Sequence, residues 1–256
     1  MATIGIFDSG SGGLSVYREL VKVLPQEHYI YFSDNAHCPY GEKSVLYIRR
    51  RARYITEFLL DKGADVIVVA CNTATAAAIA TLRAEYPNVP FVGMEPAVKP
   101  AALGTRSGVI GVLATAGTLK ASKYLNTRGM YESDVRIVEH VGQGFVELVE
   151  SGILDGPEAE SKVRASLQPL LDAGADTIVL GCTHYPFLQP VIQRLAGPSV
   201  RIIDPAPAVA RQTLRVLTDH AVPFGEGPFS VELHASGDPA ALQRIFLLIP
   251  NSLALN

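Results

Sequence analysis

A nine-residue segment of this chain occurs twice: Gly63-Ala64-Asp65-Val66-Ile67-Val68-Val69-Ala70-Cys71 reads almost residue for residue against Gly174-Ala175-Asp176-Thr177-Ile178-Val179-Leu180-Gly181-Cys182. Each copy holds a short run rich in β-branched residues, as buried parallel strands do, and each ends on a cysteine. Two further correspondences keep the same order at closely similar separations. Ile4-Gly5-Ile6-Phe7-Asp8-Ser9 parallels Ile110-Gly111-Val112-Leu113-Ala114-Thr115, and Glu95-Pro96-Ala97 parallels Asp204-Pro205-Ala206. Matches at separated places in constant order imply a duplicated folding unit.

Within the first copy, strand-like runs Ile4–Phe7, Tyr29–Phe32 and Val66–Ala70 alternate with helix-like Leu14–Leu24, Lys43–Lys62 and Thr73–Glu85. That alternation predicts an α/β fold with two similar domains. Each domain is a mainly parallel sheet flanked by helices. A pseudo-twofold duplication relates the two, and the active site lies in the cleft between them. The segments Met94–Pro100 and Asp204–Pro207 are expected to be exposed crossings, because proline interrupts regular structure. One domain is then 98–207. Residues 1–97 and 208–256 form the other, with Val231–Ala235 adding a strand and Pro239–Leu247 a helix.

A chain of 256 residues suits one large domain or two small ones, and 48% hydrophobic with 18% charged residues suffices for a core. The net charge of −3 offers no basic footprint, so nucleic acid is not an expected partner. Ile4–Phe7 follows directly on Met1-Ala2-Thr3 with no signal-like region, and no apolar run reaches spanning length. A cytoplasmic protein without a membrane partner is predicted, and a homodimer stays open. Its three cysteines lack any C-x-x-C pair, which argues against a disulfide framework and a Cys-rich zinc site, so no metal is expected.

Ligands of open α/β sheets bind beyond the carboxyl ends of the strands, where Asp8-Ser9, Cys71-Asn72-Thr73, Thr115 and Cys182-Thr183-His184 fall. A pseudo-twofold axis would set Cys71 and Cys182 on opposite sides of whatever lies between. Inverting a carbon needs one base and one acid on opposite faces. Thiols suit the task, since a reference pKa of about 8.5 is lowered by a helix N-terminus or a charged neighbour. Backbone N–H groups and hydroxyls of Asn72, Thr73 and Thr183 suit an α-carboxylate. Asp8 suits an ammonium group or a proton near Cys71, and His184 suits assistance to Cys182.

Plainer roles compete. Asp8 could cap a helix, His184 could be a turn histidine, and Cys38, in a polar turn with no duplicate, reads as structural. Gly10-Ser11-Gly12-Gly13 lacks the glycine at Ser15 that a dinucleotide fingerprint needs, and no Gly-Lys-Ser/Thr follows as in a P-loop. It is read as backbone turning closely around a small ligand. No lysine sits in a context that singles it out for a pyridoxal-phosphate Schiff base.

Five motifs in order resemble the glutamate racemase family over essentially the whole chain: Phe7-Asp8-Ser9-Gly10-Ser11-Gly12-Gly13-Leu14; Ser33-Asp34 with Pro39-Tyr40-Gly41; Ala70-Cys71-Asn72-Thr73-Ala74; Ala114-Thr115-Ala116-Gly117-Thr118; and Gly181-Cys182-Thr183-His184-Tyr185-Pro186. The resemblance implies that Cys71 and Cys182 are the acid–base thiols, with Asp8 supporting the first and His184 with Glu150 the second. It implies substrate contacts at Asp8, Ser9, Tyr40, Gly41, Asn72, Thr73, Thr118, Thr183 and His184. It further implies interconversion of L- and D-glutamate without metal or pyridoxal phosphate, supplying D-glutamate for peptidoglycan. Aspartate racemases share the two-cysteine logic, and Tyr185-Pro186 favours glutamate. A non-catalytic two-lobed amino-acid-binding protein is the alternative from another class. The chain departs from many members at Gly142-Gln143-Gly144, where they carry Cys-Pro. It also lacks the N-terminal extension of members activated by a peptidoglycan precursor, so unregulated basal activity is expected.

Overall fold

The computed structural model describes residues 1–249, and the predicted domain end at residues 250–256 lies outside them. Among the described residues nine strands form: β1 (Thr3–Asp8), β2 (His28–Ser33), β3 (Val66–Val69), β4 (Phe91–Gly93), β5 (Val109–Ala114), β6 (Arg136–Val141), β7 (Thr177–Gly181), β8 (Arg201–Ile203) and β9 (Ser230–Ala235). One sheet has the order β4-β3-β1-β2-β9 and the other β6-β5-β7-β8. Reversed, the second reads β8-β7-β5-β6, strand for strand the counterpart of β4-β3-β1-β2. The duplication seen in the sequence is thus a duplication of topology, with β9 added at one edge. Every strand pair is parallel. Ile4 pairs with Val66 in the first sheet as Ile110 pairs with Thr177 in the second.

Alternation along the strands divides the core. Phe7, Ile67 and Val69 pack with Ile48, Ile55, Leu59, Ala78 and Leu82 of the helices Val45–Asp61 and Asn72–Glu85. Ile4, Ile6, Val66 and Val68 belong to the opposite layer, with Tyr17 and Leu20 of the helix Leu14–Val23 and Val209 and Ala210 of the helix Ala206–Asp219. Leu113, Ile178 and Leu180 of the second sheet join that layer, together with Leu167 and Leu170 of the helix Pro157–Asp172. One apolar cluster therefore runs through both halves. At roughly 1.5–3 kcal/mol for each fully buried large aliphatic side chain, this layer is a main source of stability.

The proline segments differ from expectation. Pro205 and Ala206 are buried, and the helix Ala206–Asp219 starts there, with Pro205 as its N-cap and Pro207 in its first turn. The helix Val98–Gly104 likewise begins inside the first segment. Proline needs no N–H partner in a first helical turn, so Pro205 and Pro207 start a helix instead of holding an exposed link, whereas Pro100, in the first turn of Val98–Gly104, is exposed. No helix among the described residues is long and apolar enough to cross a membrane.

Candidate active site

The residues that end β1, β3, β5 and β7 converge. Cys71 follows β3 and is the N-cap of the helix Asn72–Glu85, its sulfur accepting the Ala74 N–H at 3.4 Å. Its thiol also faces Ser9 Oγ at 3.8 Å. Cys182 follows β7, and its carbonyl accepts the Tyr185 N–H at 3.1 Å to start a tight turn. Both cysteines are buried and line the same cavity of about 10 Å³, with Ser9, Tyr40, Gly41, Asn72, Thr73, Thr115, Thr183 and His184. That volume accommodates about one water molecule. Pro39 and Val146 complete the wall, and nothing in the sequence singled out Val146. Asp8, Glu150 and Thr118 stand behind these lining residues.

The two halves are stitched together across the cavity. Thr183 Oγ1 donates to Asp8 Oδ1 at 3.2 Å, and Ser15 Oγ donates to the Thr183 carbonyl at 3.0 Å. Thr73 Oγ1 lies 3.0 Å from Thr115 Oγ1 and 3.2 Å from Thr118 Oγ1, a cluster of hydroxyls drawn from both sheets. The buried side-chain amide of Asn72 differs: both its Nδ2 and Oδ1 lack a partner among the described residues. Buried polar atoms left unpaired cost roughly 1–3 kcal/mol each, so an amide lining a cavity in this state is poised for a ligand.

Beside Cys182, His184 Nδ1 lies 3.8 Å from the sulfur while Nε2 bonds Glu150 Oε1 at 2.7 Å. Glu150 ends the helix Phe145–Glu150 and is itself held by Ser11, whose N–H reaches Oε1 at 2.6 Å and whose hydroxyl reaches Oε2 at 3.0 Å. The glycines of the loop earn their place by proximity. A Cβ on Gly12 would stand 2.6 Å from His184 Cγ, so a larger residue there would displace the ring. Tyr40 donates its hydroxyl to Asp34 Oδ2 at 2.5 Å, and Arg51 grips the same carboxylate through Nε at 2.9 Å and Nη2 at 2.7 Å. The Tyr40 hydroxyl is thus committed to Asp34, and the residue serves as cavity wall.

The two thiols sit in unlike surroundings. Burial pushes the Cys71 thiol well above its ordinary range, and the charge of nearby Asp8 adds to the rise. The expected lowering by the helix N-terminus is therefore overturned for Cys71, because desolvation outweighs the single Ala74 N–H. Burial also raises the Asp8 carboxyl, against the opposing pull of His184 and the Gly10 N–H. For His184, burial acts downward, yet hydrogen bonds with Cys182, Cys38 and Glu150 outweigh it and hold the imidazole well above its usual value. Glu150 mirrors this: burial pushes it up, while His184 and Ser11 bring it below the normal carboxylate range. Cys38, read from the sequence as a structural turn cysteine, is half-buried beside Glu150 and His184. Its position directly before Pro39-Tyr40-Gly41 was the available signal.

A cavity lined by one thiol from each half of a duplicated α/β fold fits a class: enzymes that move a proton on and off carbon. The chain matches the Asp/Glu/Hydantoin racemase family over residues 4–213. It is 50% identical over 248 residues to the glutamate racemase of Ectopseudomonas mendocina, covering 97% of this chain and 94% of that protein. The chain belongs to this racemase family, among the glutamate racemases. Among solved structures, Escherichia coli glutamate racemase, in complex with L-glutamate and activator UDP-MurNAc-ala, superimposes with a TM-score of 0.86 at 32% identity over 98% of this chain and 95% of that one. Francisella tularensis glutamate racemase, in complex with D-glutamate, gives 0.82 at 27% identity over 97% and 93%.

Proposed function

We propose that the chain interconverts L- and D-glutamate by a two-thiol mechanism, with Cys71 and Cys182 on opposite faces of Cα and no cofactor, supplying D-glutamate for peptidoglycan. The observation that carries this is a pair of buried cysteines, from equivalent strand ends of the duplicated sheets, lining one cavity. In this reading, residues 1–97 with the tail from 208 form one lobe and 98–207 the other, each contributing one thiol.

One thiol, as thiolate, takes the α-proton while the other delivers a proton to the opposite face, and the roles reverse with direction. The carbanion that develops is stabilised by charge already in position. The backbone N–H groups of Asn72 and Thr73, at a helix N-terminus, and the Thr183 hydroxyl hold the α-carboxylate. Asn72's unpaired amide supplies a further donor. Asp8, its carboxyl raised by burial, can exchange a proton with Cys71 or receive the substrate ammonium. His184 offers Nδ1 to Cys182, oriented by Glu150 at Nε2 and so indirectly by Ser11. Relatives bound to L-glutamate and to D-glutamate support the choice of substrate.

The test is polarimetric. L-Glutamate and L-aspartate are each incubated with the protein without added cofactor, and optical rotation is followed. Loss of rotation with glutamate is expected; faster loss with aspartate would overturn the substrate assignment. Cys71→Ala and Cys182→Ala should each lower turnover by at least about 100-fold while leaving circular dichroism unchanged. Retained turnover in both would remove the two-thiol mechanism, and binding without turnover in the unmodified protein would favour an amino-acid-binding role.

A further inference from the structure

Cys38, Glu150 and His184 each offer one ligand atom, and these atoms lie within 4.8 Å of one another. Ligands of one tetrahedral zinc ion stand roughly 3.3–3.8 Å apart, given bonds of about 2.0–2.3 Å, so modest side-chain shifts would bring the three onto a common ion. The set is one thiol, one imidazole and one carboxylate, which selects zinc-like ions over magnesium or calcium. His184 lines the thiol cavity, whereas Cys38 and Glu150 also open to another side. A surface cavity of about 320 Å³ is lined by Cys38 and Glu150 together with exposed Glu147 and Asp238. Neither Cys71 nor Cys182 is among its described lining residues. Acidic groups at such an opening concentrate cations.

We propose that Cys38, Glu150 and His184 form an inhibitory site for a thiophilic divalent cation of the zinc class, reached through this side cavity and not through the substrate cleft. On binding, Cys38 releases its thiol proton and His184 releases the Nε2 proton to solvent. Sulfur, nitrogen and a Glu150 oxygen then bind the ion, with water filling the fourth position and no change of oxidation state. The imidazole loses its bond to Glu150 and keeps its only proton on Nδ1. It can then donate to Cys182 but no longer accept from it, so turnover stops although the substrate cavity stays unfilled. Inhibition therefore lowers kcat and leaves KM unchanged.

The experiment compares the unmodified protein with Cys38→Ala in chelator-free buffer. Glutamate racemisation is titrated with zinc chloride and with magnesium chloride, and sulfur-to-metal charge-transfer absorption is recorded with cobalt chloride. The inhibition arm rests on the racemase reading, whereas the cobalt spectrum does not, so the two can fail separately. The expected result is zinc inhibition through kcat, no effect of magnesium, and a cobalt–thiolate band. In Cys38→Ala, with inhibition scored against that variant's own metal-free kcat, the inhibition constant and the cobalt affinity should weaken by at least about tenfold. Equal zinc inhibition and an equal cobalt band in both proteins would assign the metal to the catalytic thiols and overturn the proposal. So would the absence of both effects in the unmodified protein.

Discussion

Glu150 touches His184 on the side away from Cys182, so its influence on the reaction passes through the imidazole. Its carboxylate is one of the groups that raise the His184 pKa, and Glu150→Gln removes that support. The imidazole then loses its proton at lower pH, and the alkaline limb of the kcat/KM profile should move toward neutrality; an unmoved limb would mean that His184 protonation is not what the profile reports. The sequence made the residue scale unevenly legible. Cys71 and Cys182 stood out because each ends a copy of a repeated strand, a signal that survives without coordinates. Glu150 was reachable only through family resemblance, since its contact with Ser11 and His184 is made by elements far apart in the chain. Cys38 and Val146 joined the cavity region for the same reason, and no periodicity encodes such an approach.

Elements carry the site by holding its walls. The 3₁₀ turn Tyr40–Glu42 is tied to the helix Val45–Asp61 through Asp34, which is fully buried and gripped by both Tyr40 and Arg51. Removing the guanidinium leaves a buried carboxylate without its counter-ion, a loss of about 3–5 kcal/mol. Arg51→Ala should therefore lower Tm by on the order of 10 °C in thermal unfolding. A shift within about 2 °C would show that Tyr40 alone satisfies Asp34. Strands and helices were read from the sequence close to where they form: helix Asn72–Glu85 was expected from Thr73, and β9 from Val231. The proline segments do lie where the chain passes from one sheet to the other, but reading them as exposed links missed that a residue which ends one element also suits the first turn of the next.

At the scale of the molecule, the thiol-lined cavity is far too small for an amino acid, so the two halves must part for substrate to enter and for product to leave. They come close at Gly117, where an added Cβ would stand 2.9 Å from the Gly41 carbonyl oxygen. Gly117→Ala should hinder closure by about 1–3 kcal/mol and lower kcat/KM about tenfold or more in the polarimetric assay. Unchanged kinetics would mean that the halves need not come this close in the reacting state. The duplicated order of the sheets was legible because repeats are visible in one dimension, while the degree of closure is set by contacts between the copies and leaves no such trace. The central claim, one thiol on each face of a single carbon, is tested most directly by running the reaction from L-glutamate in D₂O and reading Cα by proton NMR and mass spectrometry in the first turnovers. The account predicts that newly formed D-glutamate carries deuterium at Cα while unreacted L-glutamate stays protiated. Protium carried over into D-glutamate, as a single base serving both faces would give, would contradict it.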